Sequence, residues 1–279
     1  MTVLLDASDR VVLDTCTLDH DKLVDHLTHD RYHLTPTAAA LLAGCDGRQR
    51  VGDLTAEHAR AYGVEPAVLH EHLSEFVDLL QEVGLVRVRR RWRHRLLGMV
   101  LDLRPGSVDA TVARRRFPPT PWGCVRAALH SGRVVAWCGL LLTIAMVAVV
   151  ARLAPGLPLA VGLAPGAVTV ASLITVAAHE VCHLSAVRAL GGRARYAAAG
   201  PNQVGVIHDV HDPVRRRWVG LAGPVGGAVA AIVAWPLIAA LPDPTADLAL
   251  PLTALLACGH LAGLLPWFAD GRHVWAAAQ

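Results

Sequence analysis

Hydrophobic and polar positions follow two different regimes along this 279-residue chain. As far as residue 88 the periods are short. Lys22–Leu27 and Arg31–Leu34 alternate as two strands would, around a Thr28-His29-Asp30 turn. Thr35-Pro36 starts a helix through Leu42 that ends near Gly44, and Asp46-Gly47 makes the next turn. A second helix is predicted from Val51 to Tyr62. A third, Pro66 to Val83, carries Val68, Leu69, Leu73, Phe76, Val77 and Leu80 at helical spacing and stops at Gly84. Leu85 to Val88 then reads as a returning strand. Residues 1–88 are therefore expected to form a small α+β domain.

Beyond residue 133 the polar positions thin out. Four apolar segments follow: Val134–Val150, Leu159–Val187, Trp218–Leu241 and Leu248–Phe268. Each approaches or exceeds the roughly 20 residues that span a hydrocarbon core, the first only marginally. With 53% hydrophobic residues and a mean hydropathy of +0.41, the composition agrees. Residues 134–279 are thus expected to be an all-α polytopic membrane domain of about four transmembrane helices. Residues 89–133 form an arginine-rich cytoplasmic linker between the two parts. Pro118, Pro119 and Pro121 break any long helix there.

Charge refines this division. Residues 1–85 carry fifteen acidic and six basic side chains, whereas residues 86–279 carry eight and twenty. An acidic domain is a poor match to phosphate, so DNA or RNA is not an expected partner of the first part. The basic residues of the linker suit anionic headgroups of a lipid bilayer, with Trp92 and Trp122 at the interface. Arg188, Arg193, Arg195 and Arg215–Arg217 lie between the second and third apolar segments, while the loops after the first and third hold few charges. By the positive-inside rule, both termini and the middle loop are cytoplasmic in a multi-pass protein of the cell membrane. The opening residues lack a basic start followed by an apolar run, so the first domain is expected in the cytoplasm. Six scattered cysteines without a CxxC pair predict reduced thiols rather than a disulfide framework.

One motif stands out against the apolar background. His179-Glu180-Val181-Cys182-His183 follows the uncharged run Ala167–Ala178, and Glu180 is the only glutamate after Glu82. An ionisable residue in such a segment is a functional-site hypothesis by default. On a helix the two histidines share a face, with Glu180 turned about 100° away. Two imidazoles to zinc beside a carboxylate base is the chemistry this spacing serves. Cys182 faces away from the histidines and is expected to pack.

A catalytic zinc needs a third protein ligand. Asp270, read as the cytoplasmic end of the fourth apolar helix, is brought by the topology above to the depth of His179 and His183. His260 and the His208-Asp209/His211-Asp212 loop are the competing candidates. His260 could instead hydrogen-bond across the bundle. The alternation of Val204, Val206 and Val210 suggests a strand near the site that could hold an extended substrate. Gly223, Gly226 and Gly227 suggest close helix packing, or else a loosened wall for substrate entry.

Two resemblances add to these readings. Tyr32-His33-Leu34-Thr35-Pro36-Thr37-Ala38-Ala39, Gly44-Cys45-Asp46-Gly47, Val51-Gly52-Asp53-Leu54 and Gly84-Leu85-Val86 resemble a PqqD-like domain, an α+β winged-helix-like leader-recognition module that accompanies enzymes modifying ribosomally made peptides. The resemblance implies that a peptide adds as a strand to the sheet edge and lies against the third helix. The second part resembles site-2-type membrane metalloproteases, through His179-Glu180-x-x-His183, Leu221-Ala222-Gly223-Pro224 and Asp270-Gly271. This resemblance implies zinc on His179, His183 and Asp270, with Glu180 as the catalytic base and proton donor. The chain departs from that pattern in carrying Gly263 where an asparagine is common, Arg272 after the Asp-Gly pair, and a short Pro266-to-Asp270 spacing.

The expected function is a membrane-embedded zinc metalloendopeptidase. It would bind a peptide leader through residues 1–88 and mature a ribosomally made peptide, alongside peptide-modifying partner enzymes. Regulated intramembrane proteolysis of a membrane protein, and a non-catalytic peptide receptor or immunity protein, are the alternatives.

Overall fold

The computed structural model describes residues 5–89, 115–153, 159–200, 204–239, 245–266 and 268–275. The chain divides into two compact units, Met1–Arg116 and Phe117–Gln279.

The first unit is α+β. Strands β1 (Arg10–Leu13) and β5 (Val86–Arg89) pair antiparallel, with Val11 opposite Val88 and Leu13 opposite Val86. Strands β2 (Cys16–Asp19), β3 (Lys22–Asp25) and β4 (Arg31–His33) form an antiparallel meander. Three helices follow β4: α1 (Pro36–Ala43), α2 (Val51–Tyr62) and α3 (Pro66–Glu82). Thr35 caps α1 by accepting from the Ala38 amide, and Pro36 sits at its first turn, where a missing N–H is harmless. Gly63 ends α2 in the left-handed conformation at φ 67°. Leu69, Leu73, Val77 and Leu80 turn one stripe of α3 into a core shared with Leu23, Leu42, Val51 and Leu85.

Strands β1 and β2 lie outside the sequence expectation, and the turns explain why. Thr15, between β1 and β2, has φ 59°, and His20, between β2 and β3, has φ 53°. Turns that use positive φ at residues other than Gly or Asn leave no composition signal.

The arginine linker also departs from its expected role at one position. Arg116 is buried within the first unit, and its guanidinium grips Asp25 at 2.7 Å and 3.3 Å. It also donates to the Asp14 carbonyl at 3.2 Å and to the Thr15 hydroxyl. Burial alone would raise the Asp25 pKa. The Arg116 bond, the Leu27 amide and the Thr28 hydroxyl outweigh it and hold the carboxyl below its ordinary range. Residues 90–114 of the linker lie outside the described residues.

The second unit is mainly rather than wholly helical. Strand β6 (Arg115–Phe117) leads into it, and Phe117 packs with Cys124, Ala127 and Leu184. Helix α4 (Pro121–Ser131) starts on a Thr120 cap to the Gly123 amide, so Pro121 opens a helix here instead of interrupting one. Three long helices follow: α5 (Arg133–Leu153), α6 (Leu159–Ala189) and α7 (Pro213–Ala239). Within them, Arg133–Arg152, Gly162–Ala189 and Pro213–Ala234 are long and apolar enough to cross a membrane. Their exposed large side chains include Trp137, Leu141, Ile144, Ile232 and Val233, a surface suited to lipid. Between α6 and α7 stands an antiparallel hairpin of β7 (Ala194–Ala199) and β8 (Val204–His208). Pairing of the two strands satisfies backbone groups of this connection within the protein.

The fourth apolar segment corrects the sequence expectation. Helix α8 (Thr245–Ala262) ends six residues early, and its apolar part, Pro251–Ala262, is shorter than the other three. Gly263, Leu264 and Leu265 donate to carbonyls three residues back, which tightens the chain into turns instead of prolonging the helix. A separate short helix, α9 (Ala269–Trp275), then begins. Asp270 sits in its first turn, not at the end of the apolar helix. All six cysteines are free thiols.

Candidate metal centre

Two elements deliver the candidate ligands. His179 and His183 lie one turn apart near the C-terminal end of α6, and Asp270 comes from α9. The link between α8 and α9 is a closed loop. The Gly271 amide donates to the Gly263 carbonyl at 3.0 Å, and the Trp275 indole donates to the Leu264 carbonyl at 2.9 Å. A Cβ on residue 271 would fall 2.7 Å from the Leu264 carbonyl oxygen, so glycine after Asp270 permits this close return.

The geometry is compact. The Nε2 atoms of His179 and His183 are 3.1 Å apart. Asp270 places Oδ2 at 3.1 Å from His179 Nε2 and Oδ1 at 3.3 Å from His183 Nε2. One ligand atom from each of the three residues lies within 4.8 Å of the others. Glu180 sits beside them with Oε1 3.9 Å from His179 Nε2. It is 3% exposed, and its Oε2 is buried with no hydrogen-bond partner among the described residues.

His183 reveals what such a cluster accommodates. Its Nδ1 lies 2.7 Å from the Val219 carbonyl of α7, and a carbonyl only accepts. The hydrogen of a neutral His183 is therefore on Nδ1, and the Nε2 lone pair faces the Asp270 carboxylate and the other imidazole. Lone pairs facing a carboxylate repel unless a proton or a metal cation lies between them. Two imidazole nitrogens and a carboxylate are the donor set of a three-ligand zinc site with an open position. The residues present fit that metal.

Helix α7 makes room for the cluster with glycine. A Cβ at Gly223 would lie 2.5 Å from both Cδ2 and Cε1 of His183, and closer still to Nε2. At Gly226 it would lie 2.6 Å from the Cys182 Cβ, and at Gly227 2.5 Å from His260 Nδ1. Cys182 thus packs against α7 and, among the described residues, does not join the metal cluster.

The rival ligands take other places. His260 Nδ1 lies 3.3 Å from His179 Nδ1, on the ring nitrogen turned away from the cluster. His208 accepts from the Val210 amide, and Asp209 accepts from the Arg193 amide. Asp212 caps α7 through the Val214 amide and pairs with Arg215 at 3.5 Å. His211 is exposed. Among the described residues, none of these five joins the metal cluster. The Val219 carbonyl and the glycine contacts to the imidazoles were not legible as site features. A backbone acceptor carries no side-chain signal, and the glycine spacing alone does not say what it faces.

Residues 4–86 match the family model described as Coenzyme PQQ synthesis protein D (PqqD). The match covers β1–β4 and α1–α3, stops at the first residue of β5 and ends before the long apolar helices. No curated protein and no solved structure matches the chain. The architecture is therefore a PqqD-like α+β domain followed by a helical region with three candidate membrane spans.

Proposed function

We propose that this chain is a membrane-embedded zinc metalloendopeptidase that captures a peptide through its PqqD-like domain and cleaves it near the cytoplasmic membrane face. The observation that carries the reading is the convergence of Asp270, 91 residues along the chain from His179, on the His179–His183 pair beside the buried Glu180. His179, His183 and Asp270 would hold the metal. When bound, zinc supplies Lewis acidity, polarising a peptide carbonyl and acidifying water.

The protein's own groups account for the rest. Glu180, buried and with a free oxygen, is placed to take a proton from water and return it to the leaving amine. Val219 fixes the tautomer of His183 through its carbonyl. Strand β8 has one edge unpaired among the described residues, and an extended substrate could add there by β-augmentation. The arginines at 188, 193, 195 and 215–217 flank the motif on the side that the positive-inside rule makes cytoplasmic.

The PqqD-like domain supports a peptide precursor over a membrane protein as substrate. Strand β4 is likewise an edge, and Tyr62, Val64 and Val68 leave apolar surface exposed at the α2–α3 turn. A leader bound there would raise the effective concentration of its own cleavage site. Peptide-modifying enzymes acting on the same precursor are the implied partners.

The test uses Glu180→Gln in the full-length protein with a precursor peptide encoded beside it. The variant should keep zinc and lose cleavage. Retained turnover would remove Glu180 from its role, and wild-type protein inactive on every such precursor would leave the peptidase reading without support.

A further inference from the structure

We infer that His260 is a positioning residue for His179. It accepts a hydrogen bond on Nδ1 from the Nδ1–H of His179, and so fixes which nitrogen of His179 is turned to the metal. This inference rests on the metal-binding reading above and names a residue outside its ligand set.

The first observation is the division of labour on the His179 ring. Its Nε2 faces His183 Nε2 and Asp270 Oδ2, both at 3.1 Å. An imidazole that offers the Nε2 lone pair to a cation carries its hydrogen on Nδ1. On that side stands His260, with Nδ1 3.3 Å from His179 Nδ1, the ring centroids 5.3 Å apart and the planes tilted by 36°. Donor and acceptor are then assigned. His179 gives its hydrogen, His260 receives it, and the hydrogen of His260 moves to its own Nε2. Among apolar helices a buried donor left without an acceptor is unfavourable, so this contact selects one tautomer of His179.

A second observation stands apart from the hydrogen bond. Helix α7 approaches α8 so closely at Gly227 that a Cβ there would lie 2.5 Å from Nδ1, 2.7 Å from Cγ and 2.8 Å from Cε1 of His260. The glycine forms a recess for the ring. Gly223, one turn earlier on the same face, forms the corresponding recess for His183. Each ligand histidine therefore has a partner on its outward nitrogen: the Val219 carbonyl for His183 and the His260 ring for His179. Both arrangements are backed by α7.

The pattern also argues against His260 as a ligand. Its Nδ1 approaches the nitrogen of His179 that points out of the cluster.

The test is cobalt(II) and zinc affinity by chelator competition on detergent-purified full-length protein, with the cobalt absorption spectrum as a second readout. His260→Ala should weaken both metals about 10–100-fold and still reach one metal per chain at saturation. His260→Asn places an amide oxygen where Nδ1 was and should recover most of the affinity. Gly227→Ala, which crowds the ring without removing it, should weaken binding in the same direction. Wild-type affinity in both His260→Ala and Gly227→Ala would overturn the inference while leaving the metal site standing. Complete loss of cobalt at saturation in both His260→Ala and His260→Asn would make His260 a ligand, which also overturns it. Wild-type protein that binds neither metal would overturn the metal reading and this inference together.

Discussion

Substituting Gly223 by alanine is expected to damage the metal centre through packing alone. The added Cβ would stand 2.5 Å from two carbons of the His183 ring. Ordinary carbon contacts are about 3.5 Å, so about 1 Å must be found. Two routes are open. The ring can turn away, which gives up the 2.7 Å bond to the Val219 carbonyl and costs about 1–3 kcal/mol in a buried setting. Alternatively α6 and α7 can separate, at about 1–3 kcal/mol for an overpacked interface. Either way Nε2 leaves its position by a distance that matters to a three-ligand site. At about 1.4 kcal/mol per decade, the metal affinity should fall roughly 5–150-fold. The assay is chelator competition with zinc, alongside thermal unfolding in detergent. Gly226→Ala is the control, because its Cβ would crowd the Cys182 Cβ at 2.6 Å and no imidazole. Both variants should lose thermal stability, and Gly223→Ala alone should lose metal affinity. Zinc bound as tightly by Gly223→Ala as by wild type, or an equal loss in Gly226→Ala, would refute the reasoning.

The remaining expectations concern the first unit and the third ligand. Arg116→Met strands the buried Asp25 carboxylate and should destabilise the first unit by about 3–5 kcal/mol at neutral pH, read as faster amide exchange in α1–α3 of the full chain. Asp25 is held below its ordinary range, so its stabilisation is complete above about pH 4 and declines as pH falls toward the folded value. The gap between Arg116→Met and wild type should therefore narrow on acidification, and a gap unchanged with pH would refute the pairing. Asp270→Ala should reduce bound zinc, since it removes the single carboxylate of the cluster; full occupancy would point to another ligand.

Much of the fold was legible where one segment decides its own structure. The predicted spans of α1, α2 and α3 coincide with the observed helices within a residue, because Thr35-Pro36, Gly63 and the α3 stripe act locally. The long apolar helices begin and end within a few residues of their hydropathy limits, except where α7 continues to Pro213 through three arginines. Failures arose where partners are distant. Arg116 looked like one more headgroup-facing arginine of the linker, yet its carboxylate partner lies 91 residues away. The break after Ala262 was hidden because Leu264, Leu265 and Phe268 continue the apolar pattern through turns.

The candidate site divides in the same way. His179, Glu180 and His183 could be read because a helix fixes their relation within five residues. Asp270 needed an argument about membrane depth, and the structure places it against both histidines, although on a different helix from the one expected. The Val219 carbonyl, the glycine recesses and the role of His260 depend on how α6, α7 and α8 are rotated against each other. No local pattern encodes that rotation.

The most direct measurement is elemental zinc analysis of the detergent-purified wild-type protein beside His179→Ala. The account predicts about one zinc per wild-type chain and almost none in the variant. Wild-type protein without zinc, or His179→Ala with full zinc, would contradict it.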